Sequence, residues 1–193
     1  MSSNLRAVND NQLRWDDLRI VPGAFSFPGS ADPGLYDWQP TGSGITFKVY
    51  KFNKNDYVTA SCQMPHTYKE GSDLYFHIHW TPADRGTAEG TANVGWKVDY
   101  SIANIGDTFP AGSTSLHTDA CQSTNDQHLL ASGEVVDGSG LTISHVITLR
   151  IYREDDGAND TWSGTNSQAP GLLEFDIHYQ IDDRGSINES TKN

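Results

Sequence analysis

No other stretch constrains this chain as much as Pro65 to Trp80. Its first half is turn chemistry, with Pro65, Gly71, Ser72 and Asp73 setting the backbone angles. From Leu74 the residues alternate with a period of two, the repeat of a β-strand. Leu74, Phe76, Ile78 and Trp80 therefore share one face, and Tyr75, His77 and His79 share the other. Leu172 to Ile181 repeats the pattern: Leu173, Phe175, Ile177, Tyr179 and Ile181 alternate with Glu174, Asp176, His178 and Gln180.

The same alternation recurs along the chain. Ile45, Phe47 and Val49 predict one strand, and Val58, Ala60 and Cys62 within 57–64 predict the next. Val94 to Ile102, 115–120, 128–136 and a run through Ile147, Leu149 and Ile151 follow, separated by Gly-, Asn- and Asp-rich turns. Six to eight half-buried strands and no helix of normal length predict an all-β fold. Antiparallel sheets packed as a β-sandwich or jelly roll are expected, with a single lipocalin-like barrel as the alternative. The expected domain, 44–182, is followed by a C-terminal tail, 183–193.

Residues 1–43 lack sustained periodicity. Leu13, Trp15, Leu18 and Ile20 suffice for two helical turns or an extended docking segment, and then Pro22, Pro28, Pro33 and Pro40 forbid a long regular element. Trp15, Phe25, Phe27, Tyr36 and Trp38 are too many large aromatics for a solvated segment. The expectation is an extended N-terminal arm with those rings mostly buried, folded back on its own domain or clamped on a neighbouring subunit.

Thirteen Lys and Arg against twenty-five Asp and Glu give a net charge of -12. Nucleic-acid binding and anionic membranes, which need clustered positive charge, are not expected. The first residues hold no apolar run of signal length, so the chain is expected to be made in the cytoplasm and to stay soluble. Cys62 and Cys121 have no metal-ligand spacing and are expected to remain thiols.

The chemistry centres on the histidines. A His-x-His pair on one strand face is how the metal centres of cupin jelly rolls begin, which makes His77 and His79 weak metal candidates, with His178 or Glu174 to complete the set. Cupin ligands point into the barrel, however, and here the imidazoles oppose the apolar face. The expectation is therefore no metal and no cofactor. Two outward-facing readings remain: histidines in a subunit contact that acid would weaken, or histidines bonded to Glu174 or Asp176. Glu154 to Asp160 is an acidic loop, read as solvated rather than as a calcium site. No Gly-x-Ser-x-Gly or phosphate-binding loop occurs, so no catalytic residue is assigned.

Taken together, Pro65-His66-x-Tyr68-Lys69-Glu70-Gly71-Ser72-Asp73, His77-Ile78-His79-Trp80, Phe175-Asp176-Ile177-His178-Tyr179 and Arg184-Gly185-Ser186 resemble a family of tailed-bacteriophage virion proteins. That family in turn resembles jelly-roll capsid decoration, or cement, proteins. The resemblance implies a non-enzymatic structural protein on the outer capsid surface, binding the major capsid protein as a homotrimer. Trp15, Phe25, Phe27, Tyr36, Trp38, Tyr75, His77, His79 and His178 are the residues expected at its contacts. The alternative is a jelly-roll protein that binds carbohydrate, or binds metal through His77 and His79.

Overall fold

The computed structural model describes residues 13–40, 44–83, 91–121, 124–182 and 185–192. Residues 1–12, Arg184 and most of the 82–93 loop, all considered above, lie outside the described residues. The strands are β1 (Arg14–Ile20), β2 (Gly34–Trp38), β3 (Phe47–Lys51), β4 (Tyr57–Gln63), β5 (Leu74–Thr81), β6 (Asn93–Ala103), β7 (Ser113–Ala120), β8 (Leu129–Val136), β9 (Val146–Arg153) and β10 (Gly171–Ile181).

From β3 onward the chain behaves as a long ribbon folded in half and rolled up. β3 pairs with β10, β4 with β9, β5 with β8 and β6 with β7, all antiparallel. Cross-pairing of β10 with β5 and of β9 with β6 then closes two sheets, β2-β3-β10-β5-β8 and β4-β9-β6-β7. Eight strands in this order are a jelly roll, as the alternation predicts. Rings interlock across the core: Phe52 packs on Trp96 and Phe76 on Tyr100 from the opposite sheet, and Trp80 packs on Trp162 of the β9–β10 loop, at ring separations of 5.2, 5.3 and 6.0 Å. Each such pair adds about 0.5–1.5 kcal/mol beyond the area it buries. In β10 a bulge between Leu172 and Glu174 gives the core position to Leu172, so Leu173 is not in the inward set.

The N-terminal segment folds back on its own chain. Arg14 to Ile20 is a strand, not helical turns, and lies along β10 with Asp17 opposite His178 and Arg19 opposite Asp176. Leu18 and Ile20 cover the core there, while Trp15, Asp17 and Arg19 face outward. Gly34 to Trp38 pairs with β3. Burial of the five arm aromatics is mostly not achieved within the chain: Phe25 is buried, Tyr36 and Trp38 are half-buried, and Trp15 and Phe27 remain 44% and 39% exposed. They sit on or beside a two-layer core that their own short strands cannot cover.

The acidic loop is not simply solvated. Asp160, fully buried, holds Arg153 through paired contacts of 2.8 and 2.9 Å, and Glu154 pairs with Lys97. Asp155 reaches Lys54, and Asp156 caps the backbone N–H of Ala158. These carboxylates stitch the loop to the sandwich rather than converging on one point. Cys62 and Cys121 are thiols; burial pushes Cys62 up to about 12.

Candidate functional site

The register of β1, β10, β5 and β8 builds a site on the outer face of the six-stranded sheet. Asp176 of β10 lies between Arg19 of β1 and His77 of β5, and the next row sets Asp17, His178, Tyr75 and Val135 side by side. Strand alternation puts all these side chains on the outer face, as expected for the histidines.

Asp176 is the centre. Although it belongs to the outer face, it is only 5% exposed, because imidazoles surround it. His79 Nε2 donates to Asp176 Oδ2 at 2.9 Å, and His79 Nδ1 meets His128 Nε2 at 2.7 Å. The other oxygen, Oδ1, lies 3.2 Å from His77 Nδ1 and 3.7 Å from His178 Nε2. The His77 approach is out of line for a hydrogen bond, so both Nδ1 of His77 and Oδ1 of Asp176 are buried without one. His178 also contacts Asp17 Oδ1 at 3.0 Å and stacks edge-on against His77, ring centres 4.1 Å apart. Burial alone would raise the Asp176 carboxyl, but the approach of His77 and His79 and the charges of His79 and His178 outweigh it. The carboxyl titrates below its usual range. Glu174 does not join this group; it is taken by Arg19.

Of the three histidines named from the sequence, His79 is hydrogen-bonded to Asp176, while His77 and His178 lie against its other oxygen. His128 carries no alternation signal in the sequence: it lies just before β8 and reaches His79 only through the β5–β8 pairing. Around the cluster the face is apolar. Trp15 packs edge-to-face on Tyr75 at 5.4 Å, and Leu130 and Val135, opposite His79 and Tyr75, are 46% and 54% exposed.

A second constellation was also missed. Ser144 Oγ lies 3.0 Å from His66 Nε2, and His66 Nδ1 donates to the Ser186 carbonyl at 2.6 Å. Ser144 has φ +63°, yet Glu189 accepts from its hydroxyl at 3.2 Å and the residue is 1% exposed. The group acts as a clamp holding 185–192 on the β4–β5 loop. The Pro65–His66 and Gly185–Ser186 elements of the resemblance thus meet in space. No signal in sequence links positions 66, 144, 186 and 189.

The outer face of the other sheet carries an open groove of about 570 Å³ lined by Ser61, Ser101, Thr148, Asp99 and Arg150. Asp99 and Arg150 pair at 2.6 Å. Among the described residues no helix is long and apolar enough to cross a membrane.

The site therefore belongs to a jelly-roll β-sandwich with a histidine-ringed carboxylate on an outer sheet face. No family model matches the chain, and no curated protein matches it. Solved structures similar to it include a cycloisomaltooligosaccharide glucanotransferase of Paenibacillus sp. complexed with cycloisomaltoheptaose. That match has 14% identity and a TM-score of 0.43, and covers 83% of this chain but 18% of the enzyme. The CBM36-1 domain of a multidomain xylanase from the hindgut metagenome of Trinervitermes trinervoides matches at 11% identity and TM-score 0.35, over 86% of this chain and 96% of that one. The stem and receptor-binding domain of the spike protein P1 from bacteriophage PM2 matches at 8% and 0.28, over 92% and 99%.

Proposed function

We propose that this chain is a non-enzymatic structural protein of a tailed-phage virion, a capsid decoration protein that docks on the major capsid protein lattice through the outer face of its six-stranded sheet. The observation that carries the reading is the exposed apolar set on that face: Trp15, Leu130 and Val135, with half-buried Tyr75, bracket the histidine–aspartate cluster. Apolar anchors around buried polar groups are the anatomy of a protein contact. The sequence resemblance supplies the partner, and the net charge of -12 argues against nucleic acid. A homotrimer would match a threefold lattice position.

Purified protein mixed with heads assembled from the major capsid protein alone is expected to co-sediment with them, and its solution mass is expected to be that of three chains. Protein that stays in the supernatant at saturating concentration refutes the reading. The groove beside Arg150 favours a second one, carbohydrate binding, because its hydroxyls and its Asp99–Arg150 pair suit sugar hydroxyls. Retention on immobilised glycans that is lost in Arg150→Ala would favour it.

A further inference from the structure

We propose that His77, Asp176 and His178 form a binding site for a divalent transition-metal ion of the zinc type, with solvent completing its coordination. The inference stands on geometry alone and is independent of the docking role.

The ligand atoms His77 Nδ1, Asp176 Oδ1 and His178 Nε2 all lie within 4.8 Å of one another. Around a tetrahedral zinc ion with bonds of about 2.05 Å, neighbouring ligand atoms sit about 3.3 Å apart. The separations here are 3.2 Å for His77 to Asp176 and 3.7 Å for His178 to Asp176, close to that spacing. The site is also incomplete as a set of hydrogen bonds: the two innermost atoms, His77 Nδ1 and Asp176 Oδ1, are buried and face each other without one. A cation between them would satisfy both, where water has no room to reach either.

The donors select the ion. Two imidazoles and a carboxylate suit zinc, cobalt or nickel, whereas calcium and magnesium want oxygen alone. The supporting contacts are also those of a metal site. His79 holds Asp176 by its other oxygen at 2.9 Å, and His128 holds His79, so the ligating carboxylate cannot swing away. Because His178 and Asp176 are on β10 and His77 is on β5, the ion would tie these two neighbouring strands together on the outer face. The site lies outside the roll, on the face opposite to that of a cupin centre.

The test uses untagged full-length protein stripped with EDTA. Co²⁺ is expected to bind at one equivalent with the visible bands of a tetrahedral ion, Zn²⁺ is expected to displace it, and Zn²⁺ is expected to raise the thermal midpoint. His77→Gln and His178→Gln are expected to weaken binding at least 100-fold. His79→Gln is expected to weaken it by about 10- to 100-fold, the usual effect of a supporting residue. His66→Gln, in the separate clamp, is expected to change nothing. Should either ligand variant fail to fold, the near-isosteric Asp176→Asn decides in its place. No stoichiometric uptake, or uptake that survives the ligand substitutions, overturns the proposal.

Discussion

His117 in β7 offers a quantitative test of how this sandwich is packed. Alternation in 115–120 would suggest Leu116 as the inward residue, but Ser115 and His117 are the buried ones, and His117 is fully buried. Its ring lies flat on Gly133 of β8, where a Cβ would come within 2.1 Å of Cε1. Neither ring nitrogen has a hydrogen bond, and the backbone of Ala131 compensates only weakly. Desolvation therefore holds the imidazole at a pKa of about 4, with the neighbouring His77 adding a smaller push in the same direction. The unfolded chain has the ordinary value of about 6.5. Between those values the unfolded state takes up a proton that the folded state does not, so stability falls as pH falls from 6.5 to 4. Below 4 this group removes no more. A shift of that size corresponds to about 3 kcal/mol lost across the window. Urea unfolding in EDTA at intervals from pH 7.5 to 4, on wild type and His117→Leu, isolates it, because carboxylate contributions are common to both proteins. The wild-type curve is expected to lose about 3 kcal/mol more than the variant between pH 6.5 and 4. Parallel curves would refute the burial argument.

Gly133→Ala is expected to cost about 1–3 kcal/mol in urea unfolding, because the new methyl group meets the His117 ring and the ring is enclosed; a neutral result would mean the ring is free to move. Asp160→Ala is expected to cost about 3–5 kcal/mol by the same measurement, since it leaves the guanidinium of Arg153 buried without its carboxylate. A loss below about 1 kcal/mol would contradict a buried pair. Deleting residues 1–21 removes β1 and uncovers the edge of β10, so the thermal midpoint is expected to fall and aggregation to rise. An unchanged midpoint would show that β1 adds nothing to the sandwich.

Most strands from β3 to β10 were legible because they have one apolar face, and a period of two cannot be mistaken when Leu74, Phe76, Ile78 and Trp80 are its marks; β7, whose inward residues are Ser115 and His117, is the exception. β1 was not legible. Asp16 occupies an inward position at the sheet rim, where it accepts from the Tyr179 hydroxyl at 3.2 Å, and so breaks the apolar pattern. The face carrying His77, His79, Asp176 and His178 followed from alternation alone. That Asp176 is its centre did not, because cross-strand register depends on a bulge in β10 and another irregularity between β5 and β8. His128 and the Ser144–His66 clamp come from loops, whose placement no local pattern records.

The account rests most heavily on the outer face of the six-stranded sheet being the docking face. The direct measurement is the dissociation constant for heads built from the major capsid protein alone, compared between two double variants. Trp15→Ser with Val135→Ser alters that face, and Tyr57→Ser with Tyr152→Ser alters the outer face of the other sheet. The first pair is expected to weaken binding at least 100-fold, the loss of two exposed apolar anchors, and the second less than threefold. Equal effects, or the larger loss from the Tyr57 and Tyr152 pair, would contradict the account.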